Sequence, residues 1–364
     1  MMPRSAWGFP ALAVAFFALA SFAGLSGSFS VSPLGILFAI ALLPILLGTV
    51  FAAVHHAEVI AHRTGEPYGT LVLTVAVTVI EVALITSIML TGDSSPALAR
   101  DTVFAVVMIV CNGLVGLCIL AGGLRYREQG FRVTGVSAYL AVLFVLSTLA
   151  LILPNYTQAS PGPVYSVSQL VFVSLVTVAL YLVFLYIQTV RHRDYFIVLG
   201  SRESETEIAH VPSNRSVAIS VVLLLVSLSG VILLAKKFAA VVEFGTSAIG
   251  APPATVGVIV ALLILLPEGV AALQAARRNE LQKSLNLALG SSLATIGLTI
   301  PAVAGVSITL DRKLVLGLDP KDSVLLGVTL IVSVLTFGTG RTNILYGFVH
   351  LVLFATFLFL VFTP

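Results

Sequence analysis

Residues 68–90 read YGTLVLTVAVTVIEVALITSIML, an apolar stretch with one carboxylate, Glu81, at its centre. A bilayer-crossing helix needs about 20 mainly apolar residues, so Glu81 is expected near mid-membrane. A carboxylate at that depth is costly unless it is paired, neutralised or given an ion, which makes it a functional candidate by default. Residues 251–274, APPATVGVIVALLILLPEGVAALQ, carry Glu268 at a comparable depth. Two such carboxylates in separate spans suggest two repeats meeting around one cation site.

The remaining sequence has the same character. Of 364 residues, 58% are hydrophobic and 10% charged, with a mean hydropathy of +1.09. Soluble domains carry about 25% charged residues. The fold class expected is therefore an all-α polytopic membrane protein whose partner is the lipid bilayer. The net charge of +3 then bears on topology and gives no support to nucleic-acid binding. Cys111 and Cys118 lie seven apart in one apolar segment, where packing is a better reading than a disulfide. No HExxH, P-loop, GxSxG or dinucleotide fingerprint is present, so an enzyme, a bound cofactor and a primary pump are not expected.

Charges, prolines and glycines divide the chain into eleven candidate spans, near residues 8–27, 32–54, 69–91, 101–122, 135–154, 167–190, 214–235, 251–274, 285–309, 322–340 and 342–363. The N-terminal run also has the outline of a signal peptide, with Arg4 ahead of apolar residues. Its apolar length suits a span, and the topology works with it retained. With the N-terminus inside, 13 of the 19 Lys and Arg fall on the cytoplasmic side and 6 outside. Basic residues in short loops stay cytoplasmic, so the bias predicts N-inside and, with eleven spans, C-outside.

If the first span (within 1–30) is an extra, residues 31–190 and 215–364 hold five spans each, joined by a cytoplasmic linker at 191–214. Five is odd, so the two groups enter the membrane in opposite directions. Glu81 and Glu268 each fall on the second span of a group. The expected architecture is two inverted five-helix repeats plus one N-terminal helix, an arrangement that places ion sites at the midplane. In the linker, Glu203, Glu205 and Glu207 suit an ordinary solvated segment better than a cation-sensing patch.

Hard cations need oxygen ligands. Thr78 lies three residues before Glu81 on the same helical face. Asn112 stands half-way across the fourth span, and Ser291 and Ser292 lie in the ninth. Each of these could equally be polarity at a helix interface. Pro267, beside Glu268, removes a backbone donor and tends to open the helix at the carboxylate. Charged residues at predicted span ends, among them Glu58, His62, Asp93, Arg100 and Asp101, fit interface anchoring. His350, well inside the last span, fits hydrogen-bonded structure better than a proton relay.

Three stretches, GGLRYREQGF (122–131), LILLPEGVAALQAARRNELQKSLNLALGSSLATIGLTIP (263–301) and FGTGRTNILYGFVHLVLF (337–354), resemble the calcium/cation antiporter superfamily, most closely its bacterial ChaA-type branch. The resemblance implies inverted repeats around a central cation site, a glutamate from each, and alternating inward- and outward-open states. It also implies a bacterial inner-membrane protein that exchanges cytoplasmic Ca2+, Na+ or K+ for external protons. Calcium/proton exchangers of this superfamily carry Gly-Asn-x-x-Glu in each repeat, with a His after the second Glu. Here Val77-Thr78-Val79-Ile80-Glu81 and Ile264-Leu265-Leu266-Pro267-Glu268-Gly269 lack both asparagines and the histidine. Two fewer amide oxygens leave room for sodium or potassium, as in the ChaA branch. Rival readings are a sodium-driven cation exchanger, a channel, and a structural membrane protein. Self-association as a homo-oligomer stays open.

Overall fold

A computed structural model describes residues 4–22, 32–65, 68–90, 95–197 and 212–363. The linker glutamates and Asp93 lie outside these residues. Eleven helices among them are long and apolar enough to cross a membrane. They are α1 (Ser5–Phe22), α2 (Pro33–Thr64), α3 (Tyr68–Met89), α4 (Leu98–Tyr126), α5 (Val133–Asn155), α6 (Val167–Arg191), α7 (Asn214–Ala248), α8 (Ala254–Arg277), α9 (Leu281–Thr309), α10 (Pro320–Phe337) and α11 (Ile344–Phe362). The protein is thus an all-α polytopic membrane protein with one short addition. Strand β1 (Glu128–Gly130) pairs antiparallel with β2 (Arg341–Asn343), with Gln129 opposite Thr342.

Two helices are longer than the sequence suggests. Helix α2 has 32 residues and α7 has 35, about 48 and 52 Å at 1.5 Å per residue. Glu58 and His62 therefore belong to α2 instead of following it. Lys236 and Lys237 lie within α7 instead of in a loop. None of these four residues breaks the i→i−4 ladder, and no glycine or proline interrupts the chain at those points.

The chain divides into two compact units, each assembled from two separate stretches. The first draws on Met1–Ser95 and Thr206–Pro267, the second on Pro96–Glu205 and Glu268–Pro364. The division falls between Pro267 and Glu268, inside α8. In the first unit α1, α2, α3 and α7 pack on one another. His56, fully buried on α2, joins three of these helices: Nδ1 lies 3.3 Å from Ser220 Oγ of α7 and Nε2 lies 3.0 Å from the Ala6 carbonyl oxygen of α1. A buried imidazole with both nitrogens engaged satisfies the rule that buried polar atoms find partners.

The second unit is organised around α4 and α9, its two most buried helices. Helix α4 packs against α9, α10 and α11, and α9 against α4, α5 and α6. Both contain a π turn, at Ile109–Leu114 in α4 and Thr295–Thr299 in α9. Such turns frequently mark functional sites.

The two ends of this unit are tied in different ways. At one end Arg127, at φ 66°, turns the chain out of α4 into β1. Gln282 Oε1 accepts from the Arg132 N–H at 2.7 Å, and Asn286 Nδ2 donates to the Phe196 carbonyl at 2.6 Å. At the other end the segment 312–319 is neither helix nor strand. Its N–H groups at Val315, Leu316 and Leu318 donate to the carbonyls of Pro96, Pro163 and Leu151, and Leu314, Leu316 and Leu318 are buried. A non-helical segment at a membrane surface is stable when its backbone groups are bonded in this way.

Candidate functional site

Glu81 sits at the middle of α3 in the first unit and is 1% exposed. The residues around it explain both the helix and the burial: Val, Ala, Leu and Ile fill the turns on either side, and α3 packs against α2 and α7. Thr78, one turn earlier, is half-buried. The first unit thus offers one carboxylate with a hydroxyl on the same face.

The remaining candidates belong to the second unit. Glu268 is half-buried and directly follows Pro267 inside α8. Proline has no N–H, so the carbonyl of Leu263, four residues earlier, loses its helical donor at the level of the carboxylate. A Cβ built on Gly269, next to Glu268, would lie 3.8 Å from Leu114 Cδ1. The segment that carries Glu268 therefore packs on the π turn of α4.

Helix α9 brings Ser291 and Ser292 to the same core. Ser292 is fully buried, and among the described residues its Oγ has no hydrogen-bond partner. A serine in a helix often donates to the carbonyl four residues back; without that bond the Ser292 hydroxyl keeps both its proton and its oxygen lone pairs for another partner. Ser291 is half-buried, and its carbonyl, with that of Ser292, accepts from the N–H of Thr295, where the π turn begins.

Asn112 is placed differently from a free ligand. It is fully buried in the π turn of α4, with Nδ2 donating to Thr329 Oγ1 at 2.8 Å and Oδ1 lying 3.2 Å from His350 Nδ1. Both ends of its amide are engaged by α10 and α11. Thr329 and Thr336 were not singled out from the sequence. The signal was present, since Thr329, Ser333 and Thr336 form a hydroxyl stripe at i, i+4 and i+7 in an apolar span, all three buried.

Among the described residues, no group of three or more His, Cys, Asp or Glu side chains is close enough to hold a metal ion. The oxygen donors available are single carboxylates, hydroxyls and opened helix carbonyls. Cys111 and Cys118 are free and buried in α4.

Comparison with known proteins places this arrangement in a family. A family model described as sodium/calcium exchanger protein matches residues 34–190 and 219–363. The provisionally named ionic transporter y4hA of Sinorhizobium fredii is 50% identical over 317 residues, covering 87% of this chain and 86% of its own. The sodium-potassium/proton antiporter ChaA of Escherichia coli is 40% identical over 319 residues, again covering 87% and 86%. The structure of native YfkE superposes with a TM-score of 0.74 at 16% identity, over 99% of this chain and 100% of that one. Matched along most of its length and half identical to a curated relative, the chain belongs to the sodium/calcium exchanger protein family.

Proposed function

We propose that this protein is a secondary active antiporter of the bacterial inner membrane that exchanges cytoplasmic Ca2+, Na+ or K+ for external protons. The observation that carries the reading is Glu81, 1% exposed at the centre of an apolar helix. An ionised carboxylate there needs a cation and an empty one needs a proton. That alternation is the exchange cycle. Protons neutralise Glu81 and Glu268 for the crossing in one direction. A cation displaces them for the return, using both carboxylates with hydroxyl oxygens from Thr78, Ser291 and Ser292.

The repeat architecture belongs to the same proposal. The two matched stretches, 34–190 and 219–363, carry α2–α6 and α7–α11. Five spans each supports an inverted pair, with the N-terminus inside and the C-terminus outside. The helices also divide in a like manner: the first unit holds α2, α3, α7 and most of α8, and the second holds α4–α6 and α9–α11. The third span of each group, α4 and α9, carries a π turn.

Proton coupling is favoured over sodium coupling because the relative at 40% identity is named a sodium-potassium/proton antiporter. Purified protein in liposomes with an imposed pH gradient decides between them. Collapse of the gradient on adding sodium, potassium or calcium supports proton exchange. Cation uptake that ignores the pH gradient but requires sodium on the opposite side supports the rival.

A further inference from the structure

His350 is fully buried on α11 and has no part in the proposed cycle. It belongs to a chain of polar groups that crosses three helices. His350 Nε2 lies 3.0 Å from Thr336 Oγ1, and Nδ1 lies 3.2 Å from Asn112 Oδ1. Asn112 Nδ2 donates to Thr329 Oγ1 at 2.8 Å, and the Thr329 hydroxyl donates to Met108 Sδ at 3.5 Å. The sulfur fixes which way the amide faces. A thioether only accepts, and Met108 Sδ takes the Thr329 hydroxyl at 3.5 Å and the Asn112 amide at 3.8 Å, so Nδ2 is the end of Asn112 that faces both and Thr329 takes its N–H. Oδ1 then faces His350 and can only accept, so Nδ1 carries the ring proton and Nε2 accepts from Thr336. One tautomer of a neutral imidazole satisfies the whole chain.

The backbone around this chain is close-packed. A Cβ on Gly116 would lie 3.1 Å from the Gly347 carbonyl oxygen and 3.2 Å from His350 Cβ, and one on Gly347 would lie 3.0 Å from the Leu120 nitrogen. Small residues let α4 and α11 meet backbone to backbone beside the histidine. Asn112 is in the middle of the π turn, and Leu114, two residues on, touches the segment that carries Glu268. The side of α4 bound to α11 and the side facing the candidate site are two faces of one irregular turn.

We propose that His350 is a positioning residue for cation binding. By fixing the amide of Asn112 it holds the π turn of α4 in the register against which the Glu268 segment packs, and Asn112 supports the site without ligating the ion. The inference rests on the exchange reading above.

The test measures cation-driven collapse of a pH gradient in proteoliposomes, with sodium, potassium and calcium chlorides, for wild type, His350→Ala, His350→Gln, Asn112→Ala and the double alanine variant. His350→Ala is expected to raise the half-saturating cation concentration about tenfold while the maximal rate stays within about twofold. The side-chain amide of His350→Gln donates to Oδ1 and accepts from Thr336, so half-saturation within about threefold of wild type is expected. The double variant should lose less than the two single losses combined, because both remove the His350–Asn112 link while each also loses bonds of its own. Should His350→Ala fail to fold, Thr336→Val removes the outer partner and is expected to shift half-saturation in the same direction. Wild-type half-saturation in the variant tested, a glutamine variant as impaired as alanine, or additive losses would overturn the inference while leaving exchange intact. Wild type that moves no protons with any of the three salts removes the exchange reading, and this inference with it.

Discussion

Gln129 of β1 donates from Nε2 to the carbonyl oxygen of Ala276 in α8 at 3.0 Å. The bond joins two stretches that carry the family resemblance, and the third meets them through the pairing of β1 with β2. Three segments far apart in sequence therefore converge at one end of the second unit. Gly122 makes room for this junction, since a Cβ there would overlap Gln129 Oε1.

Gly122→Ala is accordingly expected to destabilise the protein by about 1–3 kcal/mol, the usual cost of overpacking. Thermal unfolding in detergent measures the loss. Adding Gln129→Ala should recover part of it, because the overlap disappears with the glutamine side chain. A Gly122→Ala variant as stable as wild type would show that Gln129 moves aside without cost.

Pro267→Ala restores the N–H that the carbonyl of Leu263 lacks and closes the helix beside Glu268. Stability equal to or above that of wild type is expected, since alanine is favoured over proline in a helix interior by about 3 kcal/mol. Cation-driven proton flux should fall. Unchanged flux would mean that the opened carbonyl has no part in the exchange.

Tyr165 lies between α5 and α6, outside the spans. Its hydroxyl donates to the Leu149 carbonyl at 2.6 Å, and burial pushes the phenol up from 10.0 to about 12. A raised acid favours the protonated folded state, so this contribution is complete below pH 10 and is lost as the pH rises towards about 12. Stability measured across that window should decline less steeply in Tyr165→Phe than in wild type. Parallel curves would remove Tyr165 from the alkaline transition.

The proposed topology places the loop before α6 outside and the residues after it inside. A cysteine introduced at the exposed Gln158 should react with an impermeant maleimide in intact cells, whereas one at the exposed Arg193 should react only after permeabilisation. The native cysteines, both buried, give little background. The reverse pattern would invert the assigned topology.

Span number and the two membrane carboxylates were legible in the sequence because bilayer thickness fixes helix length and a charge in an apolar run is conspicuous. Helix ends were less so. Glu58, His62, Lys236 and Lys237 read as boundaries, yet α2 and α7 run through them, since a long helix tilts or projects past the hydrocarbon at modest cost. The π turns left no local signature, because Ile109–Leu114 and Thr295–Thr299 depend on packing between helices distant in sequence. The same limit hid the partners of Asn112. A buried amide halfway across a span does not show in the sequence which neighbours it bonds, and those on α10 and α11 engage both of its ends. The β1–β2 pair and the irregular 312–319 segment were missed for a related reason: their backbone bonds go to other segments, not to near neighbours.

The proposed cycle stands on Glu81 and Glu268 carrying the exchanged protons and cation. Its most direct test is cation-driven proton flux in proteoliposomes for wild type, Glu81→Gln and Glu268→Gln, with each protein first shown to be folded by its elution profile and unfolding temperature. Glutamine keeps the shape of the side chain and removes the charge and the titrating proton. Both variants are predicted to fold and to lose flux with every cation that wild type exchanges. A folded glutamine variant that still exchanges cations for protons at the wild-type rate would contradict the account.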